Sequence, residues 1–133
     1  MIRLLGAAAG IIILLAGTAP AEPPPDPKVK GERVFLKCFS CHSLDPATKN
    51  VPGPHLVNIM GRDMASLPDF NYSPAMRDFA TRNKRWTVEE LDRYIADPKA
   101  VVPDGSMAFP GIPDPDERKE LMDYLRTRSQ KPN

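Results

Sequence analysis

A chain of 133 residues has room for one compact domain and its leader. Its 18 Lys and Arg stand against 17 Asp and Glu, a formal net charge of +1. That balance excludes the strongly basic surface typical of nucleic-acid-binding domains, and 26% charged residues with 41% apolar ones fits a folded globular domain.

The first 21 residues read as a targeting segment. Arg3 supplies a positive start, Leu4 to Ala16 is an almost unbroken apolar run, and Ala19 and Ala21 form an A-x-A cleavage pattern. Removal of residues 1–21 leaves 17 Lys and Arg against 17 Asp and Glu, because only Arg3 is lost. The apolar run is short beside the roughly 20 residues of a transmembrane helix. Export to the periplasm is therefore expected, with an uncleaved membrane anchor as the alternative. Residues 22–29 begin E-P-P-P-D-P and read as a proline-rich, extended leader, so the folded domain is expected over 30–133.

The segment Lys30–Lys37 places Val34 and Phe35 on one face at helical spacing and runs into Cys38-Phe39-Ser40-Cys41-His42. C-x-x-C-H is the attachment pattern of a c-type haem. Two thiols one helical turn apart can each add to one vinyl group of the same porphyrin, and the adjoining imidazole of His42 becomes the proximal iron ligand. Competing readings are a redox dithiol, a structural disulfide or zinc. A dithiol site belongs with a βαβ pattern, and zinc needs further ligands where the chain offers His55 and carboxylates.

Further along, Ser73-Pro74 opens a short helix with Met76, Phe79 and Ala80 facing inward. Thr87 to Glu90 is a T-x-x-E capping box for a helix carrying Leu91, Tyr94 and Ile95, which Pro98 ends. Asp114-Pro115 opens the last helix, with Glu117 as the partner of the capping box and Leu121, Met122, Tyr124 and Leu125 as its apolar side.

A second iron ligand is sought among the remaining sulfur and imidazole groups. Met122 belongs to the apolar side of a helix and reads as core. Met107 lies between two helices in a loop rich in Pro and Gly, from which it can present a thioether to iron. Met60, Met64 and His55 remain as alternatives.

These segments together resemble the class I, mitochondrial-type cytochrome c family and its short bacterial members. The resemblance runs from Gly31 to Arg126 through G-E-R-V-F-L-K-C-F-S-C-H, P-G-P-H-L-V-N-I-M-G-R, F-N-Y-S-P-A-M, Trp86, Tyr94, P-D-G-S-M-A-F-P-G-I and L-M-D-Y-L. It implies an all-α fold of three main helices and long loops around one covalent haem c, with Gly31 and Phe35 near Tyr124 where the terminal helices cross. It implies that Pro54 offers its carbonyl to Nδ1–H of His42, that Arg62, Tyr72 and Trp86 hydrogen-bond the buried propionate or its waters, and that Tyr94 lies beside the sulfur of Met107. The chain departs from the pattern at Gly105, where threonine is usual, at Ser106, where lysine is usual, and at Met76, where asparagine is common.

The implied function is one-electron transfer with no bond chemistry, hence not an enzyme. Its partners would be a dehydrogenase, reductase or oxidase, with no nucleic acid and a monomeric state. The alternatives are a peroxidase-like haem enzyme or a sensor from which a diatomic ligand displaces Met107. The lysine ring around the haem edge is reduced to Lys37, Lys49 and Lys99, while Arg82, Lys84 and Arg85 form a separate basic cluster.

Overall fold

The computed structural model describes residues 26–129. The targeting segment expected over 1–21 lies outside them. Five helices form among the described residues: α1 (Pro27–Phe35), α2 (Pro74–Arg82), α3 (Val88–Ala96), α4 (Pro98–Val101) and α5 (Pro115–Ser129). None of the described helices is long and apolar enough to cross a membrane.

Proline marks four of the five helix starts for one reason: its fixed φ suits the first helical turn, where its missing N–H has no intrahelical acceptor. α1 opens three residues earlier than the Lys30 expected. The Asp26 carboxylate accepts from Lys28 N at 2.8 Å, and Pro27 begins the helix. Pro27, Lys28 and Val29 thus belong to the domain and not to the extended leader. α2 is capped by the Ser73 hydroxyl, which accepts from Met76 N at 3.2 Å. α3 is capped by Thr87, which accepts from Glu90 N at 3.1 Å. Pro98 both follows α3 and opens α4, whose Asp97 cap accepts from Ala100 N at 3.0 Å.

At α5 the cap differs from the expected box. The Asp114 carboxylate accepts from Asp116 N at 2.9 Å. The Glu117 side chain instead forms an ion pair with Lys37, joining the start of α5 to the turn after α1.

α1 packs across α5. A Cβ on Gly31 would overlap the Glu120 carbonyl and Tyr124 Cβ, so glycine is what lets the two backbones meet. Phe35 and Tyr124 fill the crossing with ring centroids 5.7 Å apart. Leu121 and Leu125 are fully buried on the inner side of α5, with Met122 buried beside them. Gly111, at φ +97°, allows the chain after α4 to turn back against Ala96, and Ile112 N then donates to Ile95 O at 2.9 Å.

Between α1 and α3 the chain is mostly loop, with one isolated bridge, Asp63 to Arg85. Gly61 N donates to Trp86 O at 2.8 Å, Trp86 N to Arg62 O at 3.0 Å, and Met64 N to Lys84 O at 2.9 Å. These bonds tie the Gly61–Met64 segment to the residues just before α3 and so fix Arg62 and Trp86 together.

Candidate functional site

The turn after α1 sets out the first part of the site. His42 N donates to Cys38 O at 2.9 Å and Cys41 N to Cys38 O at 3.1 Å. This one-turn loop places both thiols and the imidazole on the wall of an apolar cavity of about 330 Å³, within the usual size range of small-molecule sites, roughly 300–1,000 Å³.

Every site residue expected from the sequence lines this cavity: Cys38, Cys41, His42, Pro54, Arg62, Tyr72, Trp86, Tyr94 and Met107. Of the alternative ligands, Met60 and Met64 pack in or against the core, and Met122 is buried in it. Met76 from α2 does reach the cavity wall, so two thioethers line it. Sequence reasoning gave no site role to Ile59, Phe70 or Phe109, which complete its apolar wall. Their apolar character alone does not separate a cofactor wall from ordinary core.

His42 is oriented through its other nitrogen. Nδ1 lies 2.7 Å from Pro54 O. A carbonyl only accepts, so Nδ1 carries the proton and Nε2 of the neutral ring keeps its lone pair. Burial lowers the pKa of His42; the Pro54 bond opposes this, and the Arg62 charge adds to it. The ring is therefore neutral at pH 7. Gly53 makes room for it: a Cβ there would come within 2.5 Å of His42 Cε1.

Burial pushes the Cys38 thiol up to about 11, with the nearby Lys37 charge opposing. A redox dithiol needs its attacking thiol as thiolate near neutral pH. Cys38 has the opposite setting, which disfavours the dithiol reading.

Arg62 is half-buried, and its Nη1 donates to His55 O at 3.0 Å and Val57 O at 3.1 Å. Trp86 and Tyr94 are buried, with ring centroids 5.1 Å apart. Burial pushes the Tyr94 phenol up to about 12, so it remains a neutral hydrogen-bond donor across the physiological range. Tyr72 packs edge-on against Phe70 at 4.8 Å. The loop 105–109 is anchored by Lys99, whose ammonium donates to Gly105 O.

The family model described as "Cytochrome c" matches residues 29–129. The chain belongs to the cytochrome c family. It is 40% identical to cytochrome c-550 of Ancylobacter novellus over 98 residues, 74% of this chain and 92% of that protein. It is 39% identical to cytochrome c2 of Rhodomicrobium vannielii over 127 residues, 96% of this chain and 94% of that one. Among solved structures, cytochrome c2 from Rhodospirillum centenum superposes with a TM-score of 0.69 at 34% identity, covering 79% of this chain and 99% of its own.

The cofactor of this family is one haem c, carried covalently on the two cysteines, here Cys38 and Cys41. The residues fit it. The cavity has paired thiols on its wall, a neutral imidazole oriented by Pro54, a glycine where a Cβ would strike that imidazole, and an otherwise mostly apolar lining. As a member of the cytochrome c family the chain is a one-electron carrier and not an enzyme.

Proposed function

We propose that this chain is a periplasmic monohaem carrier whose iron is held by His42 and Met107. The observation that carries the reading is the convergence of Cys38, Cys41, His42 and the Met107 thioether on one apolar cavity. When bound, haem c supplies a single-electron couple between ferrous and ferric iron.

The chain's own residues bind and tune that couple. Cys38 and Cys41 attach the porphyrin, and Pro54 holds His42 in the tautomer that coordinates. Met107 would supply the second ligand to the iron from a loop held by Lys99. Thioether sulfur favours ferrous iron, as does an apolar surround that disfavours added positive charge. Trp86 and Tyr94 are buried against this part of the cavity, and Arg62 and Tyr72 on its wall would meet a propionate. With His42 and Met107 both holding the iron, the site would offer no open position for peroxidase chemistry or for a diatomic ligand.

Electron partners are redox proteins: a dehydrogenase, a reductase or an oxidase. The periplasmic assignment rests on the targeting pattern of residues 1–21.

Denaturing electrophoresis with haem staining tests the attachment. The stain should stay with the polypeptide and vanish when Cys38 and Cys41 are both replaced. Extraction of all haem from the native protein by acid acetone would refute covalent binding.

A further inference from the structure

Four large apolar side chains stand exposed among the described residues: Val29, Leu36, Phe39 and Val88. Two of them lie on the turn that carries the paired cysteines. Phe39, between Cys38 and Cys41, is 66% exposed, and Leu36 is 65% exposed. This turn continues the helical path of α1, with Leu36 N donating to Glu32 O at 3.3 Å and Phe39 N to Phe35 O at 3.1 Å. Residues three apart on such a path are neighbours, so Leu36 and Phe39 form one apolar ridge. Single exposed apolar residues are ordinary on a protein surface, whereas a leucine and a phenylalanine side by side at a cofactor site point to a contact.

The surroundings restrict what that contact can be. Six residues of the cavity lining are themselves exposed: Lys37, Ser40, Cys41, Pro52, Ser106 and Ala108. Of these, Lys37 alone is charged, and it is ion-paired with Glu117 of the same chain. An acidic partner therefore meets no unpaired cation among them. An uncharged, apolar face meets small side chains and the ridge.

Resting on the haem-carrier reading, we propose that Phe39 and Leu36 anchor the docking face of this chain, and that the partner it fits is a redox protein whose contact surface is apolar and uncharged. Electron transfer requires the partner to cover the side of the cavity where its lining reaches the surface. Phe39 stands between Cys38 and Ser40, both in that lining, so such a partner covers Phe39 as well. Aromatic side chains are enriched and charged ones depleted at the centre of protein contacts. Burying the ridge supplies affinity through the hydrophobic effect, which salt does not screen. Interfacial charges act mainly on steering and rate, and charges already paired within the chain add little to either.

The test uses holoprotein on gold electrodes coated with monolayers that end in methyl or in carboxylate groups. The variants are Phe39→Ser, Leu36→Ser and, as a control, Val29→Ser. Val29 is an exposed apolar residue of α1 about two turns from Leu36. Voltammetry should show native protein bound to the methyl surface and exchanging electrons. Coverage should not fall from about 0.01 M to 1 M salt, although the Debye length drops from roughly 30 Å to roughly 3 Å. Phe39→Ser should weaken this binding about tenfold, as expected for an aromatic anchor. Leu36→Ser should act in the same direction, and Val29→Ser should leave binding unchanged. Exchange confined to the carboxylate surface and lost with salt, no loss in Phe39→Ser, or an equal loss in Val29→Ser would overturn the proposal. Failure of the haem reading itself is distinguishable, because native holoprotein would then lack a six-coordinate low-spin spectrum before any electrode is used.

Discussion

Pro54 O accepts from Nδ1 of His42 at 2.7 Å, and Gly53, one residue earlier, gives the same ring its space. Two consecutive residues thus act on one imidazole, Gly53 leaving room and Pro54 orienting it, while the next carbonyl, that of His55, holds Arg62 at 3.0 Å. Gly53→Ala should drive a methyl group against the ring and tilt it. The expected result is a fraction of high-spin ferric haem and a lower yield of holoprotein, read from the visible spectrum. An unchanged low-spin spectrum would show that the ring position does not depend on this gap.

The crossing of α1 and α5 should be the mechanical centre of the domain. Gly31→Ala overpacks it at Glu120 and Tyr124, and overpacking costs about 1–3 kcal/mol. Leu121→Ala leaves a cavity at a site with 0% exposure and should cost about 2–5 kcal/mol. Denaturant midpoints on holoprotein check both. A loss well under 1 kcal/mol at Gly31 would mean that the helices separate without cost.

Much of this architecture was legible in the chain itself. Ser73-Pro74 and Thr87 with Glu90 mark the starts of α2 and α3 because capping is a local interaction with a short sequence signature. Asp26-Pro27 is the same signal, but it stands inside a proline run and by composition reads as leader. The C-x-x-C-H site is equally local. What local pattern could not convey is long-range pairing. Glu117 sits where a capping box wants it, yet it joins Lys37 across 80 residues of sequence. Lys99 counted as a docking charge, whereas its ammonium is used on the Gly105 carbonyl. The buried Nδ1 of His55 depends on how the loop folds over it and has no sequence signature.

These pairings set the expectation for partner docking. Lys37 is paired with Glu117, Lys49 lies 3.5 Å from Asp69, Arg82 is 2.7 Å from Asp78 and Arg85 3.0 Å from Asp63. Long-range attraction should be weak. From about 0.01 M to 0.15 M ionic strength the Debye length falls from roughly 30 Å to roughly 8 Å. Stopped-flow electron transfer to a native partner should slow only modestly over that range. A steep fall would show that free lysines still steer docking.

Lys99 should act on the loop more than on association. Lys99→Met removes its bond to Gly105 O, so the Met107 loop should open at lower urea than in native protein. The near-infrared sulfur-to-iron band of the ferric form would report the opening ahead of global unfolding. Coincident loss of the band and of helix signal, as in the native protein, would assign the ammonium no anchoring role.

Acid stability gives a reading of His55. Its pKa is lowered in the folded chain, first by burial and then by Arg62 and Lys49. The unfolded chain therefore binds the proton more readily. This contribution to stability is full above the ordinary imidazole value and is lost as pH falls through the folded one. Ferric native protein should lose more stability between about pH 7.5 and 5 than His55→Gln does. Equal losses in denaturant midpoint would contradict this.

The axial ligand is the most direct test, because two thioethers, Met107 and Met76, line the cavity. The measurement is the ferric near-infrared absorption and carbon monoxide binding of the ferrous form in native protein, Met107→Ala and Met76→Leu. The account predicts the sulfur-to-iron band and no carbon monoxide binding in native protein and Met76→Leu. It predicts loss of the band, a lower potential and rapid carbon monoxide binding in Met107→Ala. A band retained in Met107→Ala and lost in Met76→Leu would contradict it and move the ligand to α2.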